Sequence, residues 1–128
     1  MKVIVIGAGL VGAYICEYLS SEDHDVTVIE KDAAVCRKAM DSLDAMVIQG
    51  DGASPAQLVQ AGLKNCDMLV AVSPNDEVNI LACLAAAKAG VKIKIARLRN
   101  PEFSQENALL GKEALGIDFI IHPERETA

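Results

Sequence analysis

A short apolar run, Lys2-Val3-Ile4-Val5-Ile6, feeds directly into Gly7-Ala8-Gly9-Leu10-Val11-Gly12, three glycines in G-x-G-x-x-G spacing. No other stretch restricts the fold as strongly, because each glycine answers a mechanical demand at a strand-to-helix junction. Gly7 allows the tight turn, Gly9 lets the backbone approach a pyrophosphate, and Gly12 lets the following helix pack close to the strand. Amides at that helix start face the anion, helped by the helix dipole. The spacing also occurs in loops that bind nothing, so context decides. An apolar strand candidate precedes it, a helix candidate follows, and an acidic residue, Glu30, closes a second apolar run about 20 residues further on. Together these predict a dinucleotide or adenine-nucleotide site rather than a plain structural turn.

Short apolar runs then alternate with helical patterns to the end of the chain, the rhythm of repeated β-α units and a parallel sheet. Six strands are predicted: Val3-Ile6, Val26-Ile29, Ala45-Gln49, Met68-Val72, Ile93-Ala96 and Phe119-Ile121. Their unbroken Val/Ile/Leu character is what a sheet covered by helices on both faces requires. Right-handed crossovers give an α/β, Rossmann-type doubly wound parallel sheet in the order 3-2-1-4-5-6, with ligand at the switch point between strands 1 and 4. The helices are punctuated at both ends. Asp32 caps one running to about Leu43, Ser54-Pro55 opens a short one ended by Gly62, and Asn75 or Asp76 starts Val78-Ala89, which Gly90 stops. Asn100-Pro101 is expected to open a last helix reaching Leu115 and ending at Gly116.

At 128 residues the chain suits one domain, spanning 1–128, able to bury roughly two-thirds of its unfolded surface. Its hydrophobic content of 52% is mostly Ala, Val, Ile and Leu, with aromatics at 3%, which fits layered strands and helices. A net charge of -6 with no basic stripe argues against nucleic acid as a partner. Cys16, Cys36, Cys66 and Cys83 show neither C-x-x-C spacing nor His neighbours, so buried reduced thiols are expected and no metal site. The first apolar run is too short for a signal peptide and no stretch approaches a membrane span, so a soluble protein of a reducing compartment is expected, without direct membrane insertion. After Ile121 the chain turns polar, His122-Pro123-Glu124-Arg125-Glu126-Thr127-Ala128, as if a longer chain had been cut after one domain.

Candidate ligand contacts follow from the sheet order. Glu30 ends strand 2, where a carboxylate accepts hydrogen bonds from adenosine ribose hydroxyls and disfavours a 2′-phosphate. Lys31 and Asp32 come next, Asp32 either as helix cap alone or as cap and adenosine contact. Asp51 and Gly52 leave strand 3 where the adenine belongs, as purine contacts or as a turn before a capped helix. Ser73 follows strand 4 at the switch point, and Arg97 ends strand 5, as a phosphate or carboxylate ligand or as half of a surface ion pair. His24 and His122 read as surface or structural. No nucleophile-base constellation and no P-loop sequence is present, so neither catalysis nor ATP hydrolysis is predicted.

Lys2 to Gly12 with Val28-Ile29-Glu30-Lys31-Asp32, Gly50-Asp51-Gly52, Val72-Ser73-Pro74-Asn75-Asp76-Glu77-Asn79 and Ala96-Arg97-Leu98-Arg99-Asn100-Pro101 resembles the N-terminal nucleotide-binding domain of the Trk potassium-uptake regulators. That module is also called KTN or RCK, for regulating conductance of potassium. The resemblance implies a non-enzymatic cytoplasmic subunit on the inner face of the membrane, binding NAD or NADH, or ATP or ADP. It further implies homodimers or higher homo-oligomers beneath a membrane potassium-transport subunit. It places Gly7, Gly9 and Gly12 on the phosphates, Glu30 on the ribose, Asp51 and Gly52 on the adenine side, and Ser73 and Arg97 along the phosphate and inter-subunit side. Family regulators continue into a second lobe, so an isolated N-terminal domain is implied. The Val78-Ala89 helix and the last helix, with Phe103, Leu109, Leu110 and Leu115, are candidates for the oligomer interface. Two other readings remain: the cofactor half of an NAD-dependent dehydrogenase, and a nucleotide sensor of another transporter.

Overall fold

The computed structural model describes residues 1–123. The expectation of a polar, unfinished tail rests largely on residues 124–128, which lie outside the described residues. The elements are β1 (Lys2–Ile6), α1 (Leu10–Ser21), β2 (Asp25–Glu30), α2 (Ala33–Ser42), β3 (Met46–Gln49), α3 (Pro55–Gln60), β4 (Met68–Ala71), α4 (Asp76–Lys88), β5 (Ile93–Arg97) and β6 (Phe119–Ile121), with 3-10 turns at Leu63–Asn65 and Pro101–Phe103. All six strands are parallel in one sheet of order β3-β2-β1-β4-β5-β6, the predicted arrangement.

Both faces of the central strands are buried, which is why their sequences do not alternate. Val3 and Val5 of β1 join Val28, Val70 and Val72 on one face, under Cys16 and Leu19 of α1 and Ala39 of α2. Ile4 and Ile6 join Leu69, Ala71 and Ala96 on the other, under Leu58 of α3, Ala82, Cys83 and Ala86 of α4, and Leu115 and Ile117. Successive helices change face between β1 and β4, so the loops at the strands' carboxyl ends part there and leave a crevice.

The expected caps form. Asp32 accepts from the amides of Ala34 (2.9 Å) and Val35 (3.0 Å), Ser54 from Gln57 (3.3 Å), and Asn75 from Val78 (3.2 Å). Gly62 and Gly90 follow α3 and α4 with positive φ. The predicted last helix does not form. After the Pro101–Phe103 turn the chain runs as irregular turns to Gly116, and Asn107 takes φ 64, a left-handed conformation that stops a helix. Leu115 is buried in the core whereas Leu109 is 94% and Leu110 51% exposed, so the segment has no continuous apolar stripe to hold a helix on the sheet. Leu115 is accordingly unavailable to an oligomer interface, while Leu81 on α4 is half exposed. Among the described residues no helix is long and apolar enough to cross a membrane.

All four cysteines are buried and free. Burial pushes the Cys16 and Cys66 thiols up and carries that of Cys83 from 9.0 to about 12. A thiol whose folded pKa is raised stabilises the fold below its unfolded pKa, and that contribution is lost as pH rises toward the folded value. The stability difference between the protein and Cys83→Ala, measured by urea unfolding, is therefore expected to shrink from about pH 8 to about pH 11. A difference independent of pH would show that the Cys83 thiol ionises alike in both states.

Candidate functional site

A cleft of about 330 Å³ opens at the carboxyl ends of β1 to β4. Gly7 lines it from β1, Glu30, Lys31 and Asp32 from β2, Gly50, Asp51 and Gly52 from β3, and Ser73, Pro74 and Asn75 from β4. Residues scattered over the sequence meet here because a parallel sheet delivers every carboxyl end to one edge. Ala8, Gly9, Leu10, Val11 and Gly12 run on from Gly7 into α1, Gly9 and Leu10 exposed, Ala8 and Gly12 buried. The first backbone bond of that helix runs from the Ala13 amide to the Gly9 carbonyl at 2.8 Å. The amides of Leu10, Val11 and Gly12 thus have no partner inside the helix.

The side chains at the rim have work of their own. Glu30 Oε1 accepts from the Ala8 amide at 2.7 Å and Oε2 from the Asp32 amide at 2.9 Å. Its carboxylate thereby pins the glycine loop to the end of β2 and retains acceptor capacity on both oxygens. Asp32 caps α2, which both readings of it require. Asp51 Oδ1 accepts from the Ala53 amide at 2.8 Å, and the Asp51 amide donates to Gln57 Oε1 at 2.6 Å, a self-contained turn ahead of α3. The Ser73 hydroxyl lies 2.9 Å from Asn79 Oδ1 and 3.2 Å from the Asn75 carbonyl oxygen. Arg97 does not line the cleft. It ends β5 with its Nε buried and unpartnered among the described residues. Neither histidine lies in the cleft: His24 Nδ1 is 3.0 Å from the amino group of Met1, at the opposite ends of the strands. No group of three His, Cys, Asp or Glu converges as a metal site among the described residues.

Residues 3–123 match the family model described as the TrkA-N domain. The chain belongs to the TrkA-N family. The Trk system potassium uptake protein TrkA of Halomonas elongata is 40% identical over 126 residues, covering 98% of this chain and 28% of that protein. The TrkA homolog of Methanothermobacter thermautotrophicus is 39% identical over 128 residues, covering 100% of this chain and 57% of its own length. The chain thus spans well under two-thirds of either relative. Among solved structures it is similar to the TrkA-N domain of inner membrane protein ybaL from Escherichia coli, with TM-score 0.81 and 20% identity over 98% of this chain and 90% of that one. It is also similar to the GsuK channel bound to NAD (TM-score 0.76, 16% identity, 94% and 21% covered). A third likeness is to the Shewanella denitrificans Kef CTD in AMP-bound form (TM-score 0.77, 20% identity, 99% and 74% covered). At these identities the structural likeness establishes a common fold.

Within this TrkA-N domain the three glycines separate by cause. Gly7 has φ 101, and a Cβ there would come within 3.0 Å of the Ser73 backbone. A Cβ on Gly12 would overlap the carbonyl oxygen of Gly7, so the start of α1 closes on the turn only without a side chain. Gly9 has an ordinary φ of -68 and no protein atom within 4 Å of where a Cβ would stand. The fold demands the first and third glycines and leaves the second unexplained.

The residue that sequence reasoning passed over is Asn79, quoted only as part of the resemblance. Its signal was present, because Asn79, Ala82, Cys83 and Ala86 fall at i, i+3, i+4 and i+7 and share the buried face of α4. Gly12→Ala is expected to destabilise the domain by about 1–3 kcal/mol through overpacking. Gly9→Ser, which supplies the missing cap of α1, should stabilise it by roughly 0.3 kcal/mol. Paired urea titrations decide; equal losses in the two variants would refute the separation.

Proposed function

We propose that this TrkA-N domain binds NAD(H) or an adenine nucleotide in the cleft, and that binding, without catalysis, regulates a membrane potassium transporter. The observation that carries the reading is Gly9. α2, α3 and α4 are each capped by a side chain, but α1 begins at a glycine with no side-chain cap and open space beside it. A backbone that must admit a pyrophosphate to its free amides accounts for all three features. The TrkA relatives, and the NAD-bound and AMP-bound structures that share this fold, support the same ligand class and the same system.

In this reading the Gly7 to Gly12 amides take the phosphates, and Glu30 accepts from the ribose hydroxyls with its remaining lone pairs. Lys31 and Asp32 border the adenosine, Asp51 and Gly52 lie on the adenine side, and Ser73 forms the wall beside the phosphates. Arg97, outside the cleft, serves the inter-subunit side. A 2′-phosphate about 4 Å from Glu30 would meet repulsion of about 1 kcal/mol in water and about 4 kcal/mol at an effective dielectric of 20, so NADP is disfavoured. The domain acts as the N-terminal lobe of a longer cytoplasmic regulator that assembles as a homodimer or larger ring on the inner membrane face. Different nucleotides shift that assembly by binding one of its arrangements better than another, with couplings of about 1–3 kcal/mol.

Calorimetric titration of the purified domain with NAD, NADH, ADP, ATP and NADP is the test. At least one of the first four is expected to bind, NADP more weakly by about tenfold, a difference of about 1.4 kcal/mol. Gly9→Val should abolish binding at a stability cost of about 1 kcal/mol or less, leaving the domain folded. NADH should remain unconsumed. Binding of none of the five, or affinity indifferent to Gly9→Val, would sink the proposal; potassium flux indifferent to nucleotide in the assembled transport system would sink its regulatory half.

A further inference from the structure

Asn79 is the one fully buried polar side chain among the described residues, at 0% exposure. Every hydrogen-bonding group it has is engaged. Oδ1 accepts from the Ser73 amide at 3.0 Å and lies 2.9 Å from the Ser73 hydroxyl, while Nδ2 donates to the Ser73 carbonyl at 3.0 Å and to the Arg97 carbonyl at 2.7 Å. The helix needs none of this for capping, because Asn75 already caps α4. Asn79 shares its face with Ala82, Cys83 and Ala86, and an apolar side chain in its place would leave the Ser73 amide, the Ser73 carbonyl and the Arg97 carbonyl without these bonds.

What the amide achieves is a fixed Ser73. Three of its four contacts go to the backbone and hydroxyl of that residue, whose own backbone stands within 3.0 Å of where a Cβ on Gly7 would be. Holding Ser73 therefore holds the wall against which the first glycine of the loop turns. The fourth contact anchors the wall to the end of β5. A second tie runs in parallel, with the Asp76 carboxylate accepting from the Arg99 amide at 2.9 Å and the Asn100 amide at 2.9 Å. The opposite wall shares no group with Asn79: Glu30 bonds to Ala8 of the loop and to Asp32, and Asp51 to Ala53 and Gln57.

We infer that Asn79 is the positioning residue for the phosphate part of the ligand: it sets the Ser73 wall against the Gly7 loop and has no part in holding the adenosine. This rests on the proposed reading of the cleft as a nucleotide site. It assigns the Ser73 side of the phosphate site to Asn79, while Glu30, through Ala8, holds the other side of the loop.

The test compares adenosine, ADP and NAD on the protein and on Asn79→Leu and Asn79→Asp, with melting curves to confirm folding. Asn79→Leu removes all four bonds; Asn79→Asp keeps the acceptor and removes both donors. The expected result is an ADP and NAD affinity reduced tenfold or more in either folded variant, with adenosine affinity changed less than twofold. A general loosening of the fold would lower all three together. Should both variants fail to fold, the wild-type protein gives the answer by amide exchange, since ADP should slow exchange at Ser73 and adenosine should not. Equal loss for adenosine and ADP, undiminished ADP affinity in a folded variant, or equal protection of Ser73 by both ligands overturns the inference while leaving the nucleotide reading intact. Failure of the wild-type protein to bind any of the three, and NADH and ATP as well, overturns both; where only NADH or ATP binds, that ligand takes the place of ADP and NAD in the comparison.

Discussion

The structure depends on how closely α1 starts against the end of β1. A helix whose third residue leaves no room for a Cβ against the Gly7 carbonyl sits where it does only if Gly7 turns with φ 101 and Gly12 carries no side chain. That approach brings Cys16 and Leu19 of α1 onto Val3, Val5 and Val70, closing one face of the sheet over its central strands. It also points the unpaired amides of the helix at the gap where β1 and β4 send their chains to opposite faces. One steric requirement therefore fixes both the packing of half the core and the direction of the one α-helix start that lacks a side-chain cap among the described residues.

Glu30 extends this constraint to the neighbouring strand. Parallel pairing sets Ile6 opposite Ile29, and the next residue along β2 reaches back with its carboxylate to the Ala8 amide at 2.7 Å. The loop is thus held from below by its glycines, from one side by Glu30, and from the other by the Ser73 backbone. The other oxygen of the same carboxylate takes the Asp32 amide, so the loop, the end of β2 and the start of α2 form one hydrogen-bonded unit. A rigid element of this kind costs a ligand little ordering entropy on binding.

Which parts of this were legible in the sequence follows from how local each cause is. The strands were plain because a sheet covered on both faces forces unbroken apolar runs, and the order of strands follows from crossover handedness once the runs are counted. Asp32, Ser54 and Asn75 were readable as caps because a cap is a contact within one turn of helix. The segment after Pro101 misled because Phe103, Leu109, Leu110 and Leu115 supply apolar residues without a common stripe, and the left-handed Asn107 is not marked by its identity alone. The spacing on α4 marked Asn79 as buried, but what it bonds to lay beyond reach. Its partner at Arg97 is a backbone carbonyl 18 residues away, and sequence inspection weighs the Arg97 side chain, not its main chain.

An acidic chain with three carboxylates at one cleft is at first sight a poor host for a phosphate, and the arrangement of partners resolves the conflict. Glu30, Asp32 and Asp51 stand at the ends of β2 and β3, and each already accepts at least one backbone amide, which offsets part of its charge locally. The free amides of Leu10, Val11 and Gly12 stand at the end of β1, backed by the dipole of a helix with no acidic residue in its first turn. A ligand lying across the cleft as proposed thus meets acceptors at its neutral sugar and donors at its anionic end. In the proposed reading, the same acidity that tells against nucleic acid, with a phosphate on every nucleotide, acts as a filter that tolerates a pyrophosphate at one position and penalises a further phosphate on the ribose.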